Sequence, residues 1–174
     1  MTDHARALGQ PALKRVNVEP GHHAFGAIAN LSIQIWWAGA READALYLLG
    51  TGDVLVEAYP RGFGSIHLCK GGTGLPDRGA RTHFETALER YGEAVGDIGV
   101  VFEGNGFWVS ALRSFMAGLK MAVGPSAQFR VYPSLMELLA TLPEAHQQRT
   151  GVEVTRQELD AAIRHLCELA ERSL

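Results

Sequence analysis

The chain has 174 residues, enough for one domain with a modest extension and a proper apolar core. Apolar residues make up 47% and charged residues 20%, and the net charge of −3 comes with no Lys/Arg cluster, which argues against a nucleic-acid or anionic-membrane surface. Cys69 and Cys167 match no disulfide framework or zinc spacing. No secretory apolar segment or run of about eighteen apolar residues occurs, so the expectation is a soluble cytoplasmic protein with free thiols and no membrane span.

Residues 1–21 mix charge, Gly and Pro without periodicity and read as a flexible arm. Phe25–Ala29 is a small-residue strand that turns at Asn30-Leu31 into Ser32–Trp37. There Ile33, Ile35 and Trp37 share one face, and Ser32, Gln34 and Trp36 share the other. No room is left between the two strands for a helix, so they form an antiparallel hairpin. Arg41–Tyr59 reads as a helix closed by Pro60, although Gly50 and Gly52 each cost it roughly 1 kcal/mol relative to Ala.

Phe63–Cys69 is the next strand, with Ser65, His67 and Cys69 on one face. The turn Gly71-Gly72-Thr73-Gly74 leads to Asp77, the expected N-cap of a helix that carries Ala80, Phe84, Ala87, Leu88 and Tyr91 on one stripe and ends at Gly92. Ile98–Phe102 (strand), Trp108–Val123 (helix), Gln128–Tyr132 (strand) and Ser134–Leu142 (helix) continue the alternation. Helical crossovers make these strands parallel with right-handed connections. Residues 143–154 read as a polar linker, and the capping box Thr155-Arg156-Gln157-Glu158 opens a last amphipathic helix. Its stripe of Leu159, Ala162, Ile163, Leu166, Leu169 and Ala170 needs cover, either from the chain's own elements or from the same helix of a second copy, as a homodimer. The expected fold is α/β: a mixed sheet with an N-terminal antiparallel hairpin, then parallel β-α units over residues 22–142, then a linker and an extra helix over 143–174.

The segment VVFEGNGFWVSALRSFMAGL, residues 100–119, is the first place to look for function. A buried strand, a tight glycine-flanked loop and a helix N-terminus are where open α/β sheets place binding groups. Glu103, Asn105, Phe107, Trp108 and Ser110 are the partner- or ligand-binding candidates from this segment. Trp36, on the polar face of its strand, joins them as the candidate for an exposed aromatic patch. Other constellations read as structural. His67 and Cys69, two apart on one strand, find no third metal ligand by spacing. His22-His23 read as a solvated pair. The Gly71–Gly74 turn lacks the Gly-Lys-Ser/Thr ending of a phosphate loop. No set of nucleophile, base and orienting group is visible, so no enzyme, metal or cofactor is expected.

The order of elements, with VVFEGNGFWVSALRSFMAGL in fourth-strand position and FRVYPSLMELLATL as closing strand and helix, resembles the STAS family of bacterial anti-sigma-factor antagonists. The resemblance covers roughly residues 24–142 and is nearest to divergent STAS-like proteins grouped with SEC14-type lipid-binding folds. It implies a non-enzymatic signalling or scaffold module that binds a protein partner through the loop before the third helix. It also places Ser110 where the family carries its phosphorylatable serine, with Val109 in place of the acidic residue before it. The alternative is a sensor or binder of a small apolar or lipid-like ligand that uses the same loop and nearby aromatic residues. An enclosed apolar pocket would favour that alternative over protein binding.

Overall fold

A computed structural model describes residues 12–104, 107–123 and 128–172. Eleven elements follow one another: β1 (Lys14–Glu19), β2 (His23–Ile28), β3 (Leu31–Trp36), α1 (Glu42–Ala58), β4 (Phe63–Cys69), α2 (Arg78–Tyr91), β5 (Val95–Phe102), α3 (Phe107–Val123), β6 (Gln128–Tyr132), α4 (Leu135–Thr150) and α5 (Arg156–Arg172). The strands form one six-stranded sheet in sequence order, β1-β2-β3-β4-β5-β6. The β1–β2 and β2–β3 pairs are antiparallel, and the β3–β4, β4–β5 and β5–β6 pairs are parallel. The expected mixed α/β sheet with a leading hairpin is therefore present.

Because each parallel crossover steps in the same direction and hand, α1, α2 and α3 lie side by side on one face. The other face carries α4 and α5, which pack on β5 and β2 respectively. The two faces are built differently. On the α4/α5 face, glycines let the helices sit close. A Cβ at Gly26 would come within 3.2 Å of Leu166, and one at Gly99 within 2.7 Å of Leu142. This face closes into a dry core of Leu31, Ile33, Ile35, Ile66, Leu68, Leu138, Leu142, Leu159 and Leu166. The opposite face of the sheet carries bulky or polar side chains instead, including Phe25, Trp36, Phe63 and Phe102.

Three expectations are corrected. Part of the arm, Lys14–Glu19, is an edge strand. Its ladder with β2 shifts register between Lys14 and Asn17, and Arg15 there has φ of 51°. The bulge turns Arg15 toward α1, where its Nε donates to Thr51 Oγ1 at 3.0 Å and its carbonyl accepts from Tyr47 Oη at 2.6 Å. Second, residues 143–150 are helix rather than linker, since α4 runs through Pro143. The break expected there, worth roughly 3 kcal/mol, is overcome by burial on both sides of the proline, at Leu142, His146 and Thr150. Third, the stripe of α5 is not left for a second copy. Leu159, Ala162, Ile163, Leu166 and Ala170 are buried in the chain's own core. The capping box that starts this helix forms as expected, with Glu158 N donating to Thr155 Oγ1 and Thr155 N to Glu158 Oε2.

His146 is fully buried, and a polar contact anchors the extended α4. Its Nε2 lies 2.7 Å from Asn30 Oδ1, while Asn30 Nδ2 donates to Gly62 O at 2.9 Å. Asn30→Ala strands both His146 Nε2 and the Gly62 carbonyl away from water. It is expected to lower unfolding free energy by about 2–4 kcal/mol. Urea melts check this, and a loss under about 0.5 kcal/mol would contradict the assigned role.

Candidate functional site

Between the sheet and the layer of α1, α2 and α3 lies a cavity of about 150 Å³. Its roof is apolar: Leu48 and Leu49 from α1, Phe84 and Leu88 from α2, and Leu112 and Phe115 from α3. Gly52 lets the roof close, because a Cβ there would lie 2.7 Å from the Tyr91 ring. Instead of breaking α1, this glycine packs it against α2. At the C-terminal end of the sheet two loops complete the wall, near Ala38 to Ala40 and near Thr73 to Pro76. They meet at Gly39, where a Cβ would lie 2.4 Å from the Leu75 carbonyl oxygen.

The floor differs from the roof. The alternating faces predicted for the two strands point into this space, and the parallel register sets Ser32 beside Ser65, Gln34 beside His67 and Trp36 beside Cys69. Gln34 Nε2 donates to Ser32 Oγ at 3.0 Å and to Ser65 Oγ at 2.9 Å, and Ser65 Oγ lies 3.0 Å from His67 Nε2. Gln34 Oε1 is buried with no hydrogen-bond partner. Burial pushes the His67 imidazole down to about 4 and the Cys69 thiol up to about 12, so both are neutral near pH 7. Among the described lining residues there is no Lys, Arg, Asp or Glu.

The imidazole makes stability depend on pH. His67 titrates near 4 when folded and near 6.5 when unfolded, so on acidification the unfolded chain takes up the proton first. Stability is full above about pH 6.5 and falls between 6.5 and 4, by at most roughly 3 kcal/mol from this group. Urea midpoints at pH 7.5 and 5 should differ in the wild type and differ less in His67→Gln. His23, also lowered by burial, contributes with the same sign to both proteins, so the difference between them isolates His67. An unchanged pH dependence in His67→Gln would contradict the assignment.

The candidates named from the sequence fall in different places. Trp36 is only 4% exposed and forms part of the cavity wall, so it is not an exposed patch. It lies where the Phe25 ring meets it edge-on at 4.7 Å. Both sides of the sheet are covered, so a polar strand face here meets the cavity rather than solvent. Glu103 follows β5 and pairs with Lys70 Nζ at 2.7 Å, tying the loops after β4 and β5 together. Ser110 is exposed on the first turn of α3, where its carbonyl accepts from Ser114 Oγ at 3.0 Å. Asn105 lies outside the described residues. Phe107 and Trp108 begin α3, and their side chains also lie outside the described part. Gln34, Ser65 and His67 are the site residues that sequence reasoning missed. Their signal was polar side chains at alternate positions of two adjacent strands that helical crossovers must cover.

A second polar cluster lies at the start of β2. His22 and His23 are not solvated, with side chains 13% and 3% exposed, and their ligand atoms and those of Asp44 lie within 4.8 Å of one another. Asp44 is already engaged, however. It accepts from His22 Nε2 and from the Arg41 backbone N, both at 2.8 Å, and from the Arg41 guanidinium. Burial raises its pKa, but the hydrogen bonds from Arg41 and His22 outweigh that and hold it at about 2. A cation there would face the guanidinium, so the cluster reads as the anchor of the α1 N-terminus, where the Asp44 carboxylate accepts from the backbone N of the N-cap residue Arg41.

No family model, no curated protein and no solved structure matches this chain. Among the described residues, no helix is long and apolar enough to cross a membrane.

Proposed function

We infer that this protein binds a small, predominantly apolar molecule in the cavity between the sheet and α1–α3, as a sensor or carrier rather than a catalyst. The observation that supports this reading is the cavity itself. At about 150 Å³ it matches the size of an apolar cavity that holds one benzene, and its apolar roof spans three helices. Close-packed interiors rarely leave such space, and the lost contacts cost stability unless a ligand restores them. The STAS-like protein-docking reading rests on Glu103, Asn105, Phe107, Trp108 and Ser110. Of these, Glu103 is held by Lys70 and Ser110 is a single exposed hydroxyl, so the built cavity carries the stronger argument.

The reading is tested by screening small uncharged ring compounds against the purified protein by ligand-observed NMR and thermal shift. Ligand at 100 times its Kd adds about 2.7 kcal/mol, which raises Tm by roughly 5–10 °C in a domain of this size. Binding by several compounds that displace one another is expected. A screen in which none binds, or in which the hits do not compete for one site, would overturn the reading.

A further inference from the structure

We propose that the molecule taken up by this cavity is uncharged and carries an oxygen acceptor that seats on the imidazole of His67. The inference rests on the ligand-binding reading above and names the chemistry of what binds.

The absence of charge follows from the walls. No Lys, Arg, Asp or Glu is among the described lining residues, so a carboxylate or ammonium would leave water with no counter-charge to meet it. The acceptor follows from the direction of the hydrogen bonds on the floor. Both hydrogens of the Gln34 amide are used, one on Ser32 Oγ and one on Ser65 Oγ. The Ser65 hydroxyl accepts from Gln34 and keeps its own hydrogen to donate, and His67 Nε2 is the ring nitrogen within its reach at 3.0 Å. An imidazole that accepts at Nε2 and is neutral carries its proton on Nδ1. That Nδ1 has no partner among the described residues, and His67 lines the cavity, which leaves this N–H as a donor for a ligand. A carbonyl, ether or hydroxyl oxygen on the ligand completes the row from Ser32 through Gln34, Ser65 and His67, while the rest of the molecule lies under Leu49, Phe84, Leu88 and Phe115.

Three compounds of nearly one shape separate these claims: acetophenone, α-methylstyrene (the same skeleton with the carbonyl oxygen replaced by a methylene) and benzoate. Titrations followed by NMR should show acetophenone binding about three- to tenfold more tightly than α-methylstyrene, with no measurable benzoate binding. In His67→Leu the preference for acetophenone should disappear while α-methylstyrene still binds. Should that variant not fold, Ser65→Ala serves, since it frees the tautomer and is expected to reduce the preference. In the wild type, ¹⁵N shifts should report His67 protonated at Nδ1 and should move when acetophenone is added. Equal binding of acetophenone and α-methylstyrene, tighter binding of benzoate, or a proton on Nε2 would each overturn the head-group assignment and leave the cavity reading standing. Failure of all three compounds to bind would overturn both.

Discussion

Leu166→Ala is expected to lower the unfolding free energy by about 3–5 kcal/mol, a large share of the 5–15 kcal/mol typical of a domain. Leu166 is fully buried, and both of its terminal methyls lie against Gly26 of β2, which has no side chain of its own to fill the space it leaves. The substitution thus removes apolar area and creates a void at the seam between α5 and the sheet. Urea melts should show a lower midpoint with an unchanged slope. By the same argument, a chain ended after Gly151 exposes the hairpin face that α5 covers and should not fold. A loss below about 1 kcal/mol in Leu166→Ala, or a cooperatively folded truncation, would mean that α5 is an appendage rather than part of the core.

Ala87→Phe is expected to abolish binding of small apolar molecules, by tenfold or more in Kd, with little loss of stability. Ala87 lies in α2 on the wall of the cavity, half-buried, and a phenyl ring placed there occupies space that a ligand would otherwise take. Ring burial gains the contacts the void lacks, offsetting the roughly 1–3 kcal/mol that overpacking costs in a filled core. Thermal shift with α-methylstyrene checks both parts at once. A variant that melts near the wild type and no longer responds to ligand is the expected result. Undiminished binding would place the site elsewhere.

Much of the fold could be read from the residues, and the parts that could not have physical causes. The alternation of Ser32–Trp37 and of Phe63–Cys69 placed the two central strands, and the Asp77 and Thr155 caps marked helix starts that form as expected, with Asp77 Oδ1 accepting from Ala80 N at 2.7 Å. The strand at Lys14–Glu19 escaped because a short, charged segment with a bulge at Arg15 carries almost no periodic signal. The helix read as ending at Leu142 runs on to Thr150, and the decisive facts were distant ones, the contact of His146 with Asn30 and the burial of Leu142 and Thr150. The site itself was half legible. The grouping of Ser32 and Gln34, and of Ser65 and His67, follows from strand period alone. That this polar face meets a cavity depends on how far the large side chains of Phe25, Trp36 and Phe63 hold the helices from the sheet, a three-dimensional property that no local pattern carries. Trp36, read as an exposed patch, stands two residues beyond Gln34 on the same strand face and shares the cavity wall.

Diffraction from a crystal of the protein under xenon pressure reports directly on the cavity. Xenon enters cavities of this size along their apolar walls without needing any particular chemistry. An anomalous peak is expected between the sheet and α1–α3, in contact with Leu49, Phe84, Leu88 and Phe115. Side chains filling that space, or no xenon there at a pressure that loads other apolar cavities, would contradict it.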